Sequence, residues 1–329
     1  MKLKEQEQKL KKKIKTAKTI FIMAHKDLDL DALGSSIGLY SVLEKLKKNC
    51  FLIIDDKHHE TGVAKVLTEL DGCLNIISSS QVSENLYLRP KKNLLIILDT
   101  NKKDLVQSSQ VLDYFQDENI IIIDHHDLGE SSITNAFQIV DQTSSSTCEL
   151  VTNLIETYKI DLDPYYATLL LSGIVLDTNN FTLKTTSATY YVAYYLSVMG
   201  ASTKKVQYLL KQDLKEYIEQ QKVITNVDII DNKIAVAKGS PYSLYRKEDL
   251  AKIADTLLFF NDIEASFVIA KTTKDIVAIS GRSLEHYNIA NILTPLGGGG
   301  STTSGAVQIT DTQISKVEQR LKQQLKKEE

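Results

Sequence analysis

Short apolar runs recur through the first part of the chain and are separated by segments with helical character. The runs lie at residues 19–24, 51–54, 74–77, 94–98 and 120–123 and are rich in isoleucine and leucine. Because they do not alternate between apolar and polar positions, they predict strands that are buried on both faces, as in a parallel sheet covered by helices. We therefore expect an α/β fold whose doubly wound sheet is mainly parallel.

The pattern changes to helices after about residue 140. Ser146 and Glu149 have the spacing of a capping box, in which the serine caps a helix and the glutamate side chain returns to the serine amide. A nearly all-apolar segment from about Pro164 to Leu176 then predicts a helix in the core of the domain.

A second, smaller α/β unit is predicted in the last third of the chain. Its strands are expected near residues 227–230, 234–237, 265–269 and 275–280, with a helix near 247–258. The run Gly297–Gly300 has the composition of a flexible linker, but we favour a substrate loop because residues 306–309 can return as a strand. We predict a catalytic domain at residues 1–200, a helical connector at 201–226 and a substrate-binding domain at 227–329.

Histidines and aspartates follow three of the predicted strands and the apolar helix. In chain order they are His25, Asp29, Asp31, Asp99, Asp124, His125, His126 and Asp177. Because ligands of open α/β sheets bind beyond the carboxyl ends of the strands, we expect these side chains to meet in one cleft. Helix capping could account for Asp31 or Asp177 singly, and we expect Asp31 to cap the helix that begins there, but capping does not account for the whole set.

Several carboxylates in one partly desolvated cleft cannot all be ionised without a counter-charge. Divalent metals supply that charge, and oxygen and imidazole ligands without thiolates suit Mn²⁺, Mg²⁺ or Fe²⁺ better than a structural zinc. Two metals roughly 3.5–4 Å apart can clamp a phosphate and generate a hydroxide nucleophile. The residues alone therefore predict metal-dependent hydrolysis of a phosphoester.

Composition restricts the partners and the compartment. The chain has 329 residues, of which 43% are hydrophobic and 25% charged, and its net charge of −3 argues against a surface that coats duplex nucleic acid. Cys50, Cys73 and Cys148 are odd in number and widely spaced, which predicts reduced core thiols. Neither a signal-peptide core nor an apolar run of about 18 residues is present, so we expect a cytoplasmic protein without a membrane partner.

Four of these motifs resemble the successive motifs of the DHH phosphoesterase family. They are His25-x3-Asp29-x-Asp31, Asp99-Thr100, Asp124-His125-His126 and Asp177-Thr178. The resemblance extends from about residue 19 to 310. It is most specific for the catalytic part of the GdpP-type cyclic-di-AMP phosphodiesterases, through residues 173–183, 264–271 and 279–284 and the glycine run.

The resemblance implies two divalent metals, with Mn²⁺ as the first choice. One would be held by His25, Asp29 and Asp99, and the other by Asp31, Asp99, His125 and Asp177, so that Asp99 bridges them. Among the catalytic residues, His126 would touch the scissile phosphate and Asp124 would orient an imidazole. In the second unit, Arg282 would bind phosphate and Gly298, Gly299 and Gly300 would let the backbone approach the nucleotide. Ser301 stands where the family's glycine run ends in histidine.

The implied activity is hydrolysis of cyclic-di-AMP to pApA, with onward cleavage to AMP, by a cytoplasmic enzyme. A homodimer is one candidate assembly, but the sequence does not fix the oligomeric state. Because of Ser301 we retain an alternative hypothesis, in which the protein is a nano-RNase or pAp phosphatase for short linear nucleotides. A catalytically inactive sensor is disfavoured because every expected ligand is present, and a pyrophosphatase because no lysine- and arginine-rich pocket is evident in the second unit.

Overall fold

The structure is a computed structural model that describes residues 2–55, 59–129, 131–284, 286–310 and 312–328. The chain divides into two compact units, Met1–Lys211 and Gln212–Glu329. The boundary falls inside the segment predicted as a connector, and each half of that segment forms a helix of the unit to which it belongs. The division into a catalytic domain and a substrate-binding domain stays a prediction.

The first unit contains a parallel sheet, which confirms the predicted fold class. Its strands are β1 (Thr19–Met23), β2 (Asn49–Ile53), β3 (Ile76–Ile77), β4 (Asn93–Leu98), β5 (Ile120–Asp124) and β6 (Phe137–Val140). Among the described residues their order is β3-β2-β1-β4-β5-β6, and every neighbouring pair is parallel. The five predicted strands agree with the observed ones to within two residues at each end, whereas β6 is not anticipated by the sequence pattern.

The isoleucine run of β5 shows why the central strands are apolar throughout. Ile121 and Ile123 pack into the core on one face of the sheet, and Ile120 and Ile122 pack into a separate core on the other face. Each face is covered by helices or turns, so that neither side chain direction reaches water. The run ends at Asp124, which is also buried.

The helices of the first unit pack on both faces of this sheet. They are α1 (Lys2–Thr16), α2 (Leu30–Lys45), α3 (Thr61–Glu69), α4 (Val82–Asn85), α5 (Thr147–Tyr158), α6 (Pro164–Asp177), α7 (Ser187–Val198) and α8 (Thr203–Leu209). Helices α2 and α6 approach closely because Gly34, Gly38 and Gly173 lie between them. Within the described part of the chain, no helix combines the length and apolarity that a bilayer crossing requires.

Half of the capping box predicted for α5 is present. Ser146 is the N-cap, and its Oγ accepts a hydrogen bond from the Glu149 amide at 3.1 Å. The Glu149 carboxylate does not return to the Ser146 amide; it accepts from the amide and hydroxyl of Ser145, at 3.2 and 2.6 Å. These buried hydrogen bonds between Glu149 and Ser145 hold the loop before α5 and fix the start of this helix.

The N-cap of helix α6, Asp163, can be tested by a measurement of protein stability. Asp163 Oδ1 accepts a hydrogen bond from the Tyr165 amide at 2.8 Å, and Pro164 occupies the first helical position. We expect Asp163→Ala to lower the free energy of unfolding by about 1 kcal/mol, since it leaves an amide of the first turn without its partner. Chemical denaturation measures the loss. Asp163→Asn is the control because it keeps the acceptor, and an alanine variant as stable as the wild type would contradict the expectation.

The second unit is built around a mixed sheet. Its strands are β7 (Val227–Ile230), β8 (Ile234–Lys238), β9 (Ala265–Lys271), β10 (Ile276–Ser283), β11 (Gly299–Gly300) and β12 (Ser304–Thr310). Their order among the described residues is β11-β12-β10-β9-β8-β7, with β8 and β9 parallel and the other pairs antiparallel. The helices are α9 (Leu214–Ile224), α10 (Lys247–Leu257), α11 (Ile289–Leu293) and α12 (Ile314–Glu328). Gly299 and Gly300 thus pair with the returning strand β12 and do not form a free linker; the role of the glycine run as a substrate loop stays a prediction.

Candidate metal centre

The site lies where the strand order of the first sheet reverses. Strand β1 is flanked by β2 on one side and β4 on the other. After β1 the chain adds β2 and β3 on one side of the sheet, and it then crosses over to add β4, β5 and β6 on the other side. Such a reversal opens a crevice at the carboxyl ends of the two strands. His25 follows β1 and Asp99 follows β4, where Asp99 adopts a left-handed backbone with φ of 61°. Aspartate tolerates this conformation better than most residues, and it turns the chain directly at the crevice.

Potential ligand atoms converge in this crevice. Three overlapping groups, each with its ligand atoms within 4.8 Å of one another, form among the described residues: His25, Asp29 and Asp99; Asp31, His125 and Asp177; and Asp99, His125 and His126. The groups contain every residue for which we predicted a metal, together with His126. Their role as ligands stays a prediction, whereas their proximity is a property of the fold.

The two oxygens of Asp99 face different groups. Oδ2 lies 3.3 Å from His25 Nε2, while Oδ1 lies 3.6 Å from His125 Nε2 and 3.7 Å from His126 Nδ1. A single carboxylate therefore stands between an imidazole from the β1 end and two imidazoles from the β5 end. This is the arrangement that a bridging ligand requires.

The expectation that Asp31 caps helix α2 is wrong. Asp29 is the N-cap, and its Oδ1 accepts hydrogen bonds from the amides of Asp31 and Ala32, both at 2.9 Å. The helix begins at Leu30, so the cap is the residue before it and Asp31 already lies in the first turn. The Asp31 carboxylate is completely buried and instead accepts from the amides of Thr147 and Cys148 at the start of α5, at 2.7 and 2.8 Å.

Asp124 holds the second histidine of its motif. Its Oδ1 accepts a hydrogen bond from His126 Nδ1 at 2.8 Å, and its Oδ2 accepts one from Asn101 Nδ2 at 2.7 Å. Burial opposes ionisation of Asp124, but the hydrogen bond and charge of His126 outweigh it and lower the pKa of this carboxyl. The His126 side chain is still 49% exposed, so the anchored ring faces the crevice.

The carboxylates of the crevice repel one another. Burial, followed by the charges of Asp99, Asp177 and Asp29, raises the pKa of Asp31 well above its usual value. Burial also raises the pKa of Asp177, with further contributions from Asp29 and Asp99. Burial alone would lower the pKa of His25, but the adjacent carboxylates of Asp29 and Asp99 raise it to about 12. Negative charge is therefore in excess at this point.

The donor set fits a pair of divalent metals. Among the described residues, His125 is buried with neither ring nitrogen hydrogen-bonded, although its Nε2 lies 3.2 Å from Asp177 Oδ2. An unpartnered imidazole beside mutually repelling carboxylates is costly unless a cation joins them. Burial, with the charge of Asp31, raises the pKa of the nearby Cys148 thiol, so this sulfur is no thiolate ligand. Oxygen and imidazole nitrogen remain as the ligand atoms, which suits a hard or borderline divalent metal.

Apart from His126, the residues predicted to bind substrate lie in the second unit. Arg282 is the penultimate residue of β10; its Nε donates to Asp255 Oδ1 at 2.9 Å and its Nη1 to the Gly281 carbonyl at 2.9 Å. Arg282, Gly299 and Gly300 line a groove of about 540 Å³ between α10 and the strands β10, β11 and β12. Ser301 closes the turn after β11, where its Oγ accepts from the Ser304 amide at 3.2 Å.

Glycine is required at position 298 because the returning strand β12 packs closely against it. A Cβ built on it would lie 2.5 Å from the Ala306 carbonyl oxygen and 2.5 Å from Val307 Cβ. No side chain can be accommodated there, so this glycine is required by the approach of the returning strand. Whether Gly298 also contacts substrate stays a prediction.

Sequence reasoning missed Thr147 and Asn101. The hydroxyl of Thr147 donates to Asp99 Oδ1 at 2.9 Å, and Asn101 also accepts from the Ser132 hydroxyl at 2.7 Å. Thr147 lies within the segment that we interpreted only as a helix cap, and Asn101 lies two residues after Asp99. Their polar character at positions next to the motifs is the one signal that could have identified them.

Comparison with known proteins identifies the family. The model of the DHH family, N-terminal domain, matches residues 19–174, a range that includes all of the crevice residues except Asp177. Residues 19–174 belong to the DHH family. Among solved structures, this DHH protein is similar to an exopolyphosphatase-related protein from Bacteroides fragilis, with a TM-score of 0.81 over 97% of this chain and 96% of that chain. At 21% identity, this likeness shows the fold.

Two of the curated relatives have names that refer to different activities. The DHH chain is 36% identical over 318 residues to the cyclic-di-AMP phosphodiesterase GdpP of Geobacillus thermodenitrificans, a match that covers 95% of this chain and 48% of the relative. It is 24% identical over 311 residues to the bifunctional oligoribonuclease and PAP phosphatase NrnA of Thermus thermophilus, covering 94% of this chain and 90% of the relative. The chain thus spans about half the length of the first relative.

Proposed function

We propose that this DHH protein is a divalent-metal-dependent phosphodiesterase that hydrolyses cyclic-di-AMP to pApA and then pApA to AMP. The observation that carries the proposal is the placement of Asp99, whose two oxygens face the imidazoles of His25 and His125 on opposite sides. The choice of substrate is supported by the relative named as a cyclic-di-AMP phosphodiesterase. Cys50, Cys73 and Cys148 are unpaired, which suits the cytoplasm, where we propose that the enzyme acts. Cys50 and Cys148 are buried as predicted, whereas Cys73 is exposed and its prediction as a core residue is wrong.

The crevice residues would hold two metals, for which we propose Mn²⁺. His25, Asp29 and Asp99 would bind one, and Asp31, Asp99, His125 and Asp177 the other. Bound metals neutralise the carboxylates, polarise the phosphate and supply an activated water. A set of oxygen and imidazole ligands suits Mn²⁺, and the absence of thiolate ligands disfavours zinc.

His126 would bind the scissile phosphate. Burial opposes its protonation, but the hydrogen bond from its Nδ1 to Asp124 and the charge of Asp99 raise the pKa of His126 above its usual value. The ring therefore carries a positive charge more readily than a free histidine does, and Asp124 fixes its direction. A cationic donor held in this way stabilises the charge that develops on a phosphate oxygen during hydrolysis.

The groove of the second unit would bind the nucleotide. Asp255 holds the Arg282 guanidinium through Nε, which orients the group toward an anionic ligand. The glycines of β11 carry no side chains, so the backbone can approach the ligand closely along this wall of the groove.

Short linear nucleotides are the second candidate substrate class. Ser301 replaces the histidine that ends the glycine run in the family, and its hydroxyl is held within the turn by Ser304. The position therefore offers no imidazole to a substrate. The NrnA relative, of which the chain covers 90%, is named for activity on oligoribonucleotides and PAP.

Product analysis by chromatography separates these functions. The protein with Mn²⁺ is incubated with cyclic-di-AMP, pApA or pAp, and the initial rates are compared. We expect cyclic-di-AMP to be converted to pApA, and the double variant Asp124→Ala, His125→Ala to be inactive because it lacks a predicted ligand and the anchor of His126. Turnover of pApA or pAp faster by orders of magnitude would favour the second candidate, and a fully active double variant would refute the site.

A further inference from the structure

Thr147, the first residue of helix α5, donates hydrogen bonds to carboxylates from two other elements. Its Oγ1 donates to Asp99 Oδ1 at 2.9 Å, and its amide donates to Asp31 Oδ2 at 2.7 Å. The next amide, of Cys148, donates to Asp31 Oδ1 at 2.8 Å. The start of one helix thus contacts the predicted bridging carboxylate after β4 and a second carboxylate in α2.

All three donors act on the same side of the crevice. We name the group Asp31, Asp99, His125 and Asp177 the inner site, and the group His25, Asp29 and Asp99 the outer site. Asp31 belongs to the inner site alone, and Oδ1 of Asp99 is the oxygen that faces His125. The hydrogen bonds of α5 are therefore directed to inner-site atoms.

The two sites differ in how firmly their ligands are held. Asp31 and His125 in the inner site are buried, and the Asp177 side chain is 20% exposed; the side chains of His25 and Asp29 in the outer site are 19% and 33% exposed. Asp29 additionally uses its Oδ1 to cap α2. Of the residues that the two sites do not share, the inner site thus has two buried ones and the outer site has none.

The Thr147 hydroxyl has a single hydrogen to donate, and its position in the helix directs that hydrogen to Asp99. A threonine deeper in a helix can donate to the carbonyl one turn earlier, but Thr147 is the first helical residue and has no such turn before it. The side chain is completely buried, so water does not compete for the donor. The loop before it is fixed by the buried bonds between Ser145 and Glu149.

We propose that Thr147 is a positioning residue that fixes the rotation of the Asp99 carboxylate and so sets the metal affinity of the inner site. The terminal torsion of an aspartate is broad and nearly two-fold, so a carboxylate without a directing donor can turn. The donor holds Oδ1 toward His125 and leaves Oδ2 toward His25. This inference rests on the proposed function in its assignment of the ligands to two metals.

Calorimetric titration of Mn²⁺ into metal-free protein, without nucleotide, tests the inference. Thr147→Val removes the hydroxyl with little change of shape, and it keeps the backbone bond to Asp31. We expect the inner site of this variant to bind Mn²⁺ about 10–100-fold more weakly, as is usual when a hydrogen bond to a ligand is lost, while the outer site changes by less than about three-fold. Thr147→Ser keeps the donor and should restore the affinity of both sites.

Thr152→Val is the matched control. Thr152 lies in the same helix, is 1% exposed and donates its hydroxyl to the Cys148 carbonyl at 2.7 Å, not to a carboxylate. We expect both Mn²⁺ affinities of this variant to match those of the wild type. If Thr147→Val does not fold, Thr147→Ala and Thr147→Ser decide, since they differ by one oxygen atom.

Several results would overturn the inference. Unchanged affinities in the valine or alanine variant would show that the hydrogen bond has no effect on binding, and equal weakening of both sites would assign Thr147 a merely structural role. A wild-type protein that binds no Mn²⁺ would overturn it as well. Unequal weakening in a protein that cleaves none of the nucleotides would support the inference and refute the proposed function, so the two failures are distinguishable.

Discussion

Replacing Asp99 by asparagine should reduce Mn²⁺-dependent hydrolysis by at least about 1,000-fold, which corresponds to roughly 4 kcal/mol in the activation barrier. The two oxygens of Asp99 face His25 and His125, so one substitution weakens both groups of ligands. An amide is a neutral and weaker metal ligand than a carboxylate. Initial rates with cyclic-di-AMP measure the loss, and thermal unfolding with and without Mn²⁺ measures the binding.

Asparagine is the informative replacement because it preserves the fold. The backbone at position 99 is left-handed, with φ of 61°, and asparagine tolerates this region as well as aspartate does. The charge of Asp99 also raises the pKa of Asp31, so its removal relieves repulsion within the crevice. We therefore expect the metal-free variant to unfold at a temperature at least as high as the metal-free wild type, and to gain no stability from Mn²⁺.

Asp104→Asn is the control for this variant. Asp104 lies on the exposed turn that follows the same strand, so its replacement changes the net charge equally without touching the crevice. We expect it to retain wild-type hydrolysis and stabilisation by Mn²⁺. An Asp99→Asn variant with more than about a tenth of the wild-type rate would contradict the bridging role, since that loss equals only about 1.4 kcal/mol.

The first sheet could be predicted because the continuous apolar character of its central strands is visible in the sequence of each strand alone. The isoleucines of β5 must be apolar on both faces, and this requirement is visible without knowledge of the neighbours. Strand β6 (Phe137–Val140) lies at the sheet edge and is only half-buried, so its sequence need not be continuously apolar. Local pattern thus identifies central strands better than edge strands.

The proximity of the predicted ligands could be anticipated from the sequence, but their hydrogen bonds could not. The carboxyl ends of parallel strands meet at one edge, which places His25, Asp99 and His125 together once the sheet is assumed. The partners of Asp31 lie 116 and 117 residues away at the start of α5. No local rule connects these segments, and so Thr147 was interpreted only as part of a cap.

Arg282 illustrates the same limit in the second unit. The family resemblance implied a phosphate ligand at Arg282, but its Nε is bound to Asp255, which is 27 residues away in α10. The ion pair forms because α10 packs against β10, and this packing depends on the whole sheet. The phosphate-binding role of Arg282 stays a prediction, and its partner Asp255 could not be anticipated from the sequence.

Replacing Gly173 by alanine should weaken both the fold and the metal site. A Cβ at this position in α6 would lie 2.5 Å from Cys148 Sγ, 2.8 Å from Asp31 Cα and 2.9 Å from Asp31 Oδ1. Overpacking of this kind costs about 1–3 kcal/mol, and alanine recovers about 1 kcal/mol through its higher helix propensity. Because the contact includes the α2 backbone, which cannot move alone, we expect the upper end of the range, a net loss of about 2 kcal/mol.

The same displacement should reach the metal site through Asp31. Its carboxylate accepts from the α5 amides on one side and adjoins His125 and Asp177 on the other, so a shift of its backbone moves an inner-site ligand. We expect Mn²⁺ affinity to fall by at least about ten-fold in calorimetric titration, as small displacements of site residues generally have large effects.

Gly38→Ala separates packing from the metal effect. Gly38 lies at the same interface of α2 and α6, but a Cβ there would meet only the flexible end of the Leu170 side chain, at 2.7 Å. That side chain can move, so the packing cost and the gain in helix propensity should nearly cancel, and Mn²⁺ affinity should not change. Equal effects of the two substitutions on Mn²⁺ binding would show that the helix interface as a whole, and not the position of Asp31, controls the site. A larger effect at Gly173 is expected because this glycine, unlike Gly38, lies directly against Asp31, a predicted metal ligand.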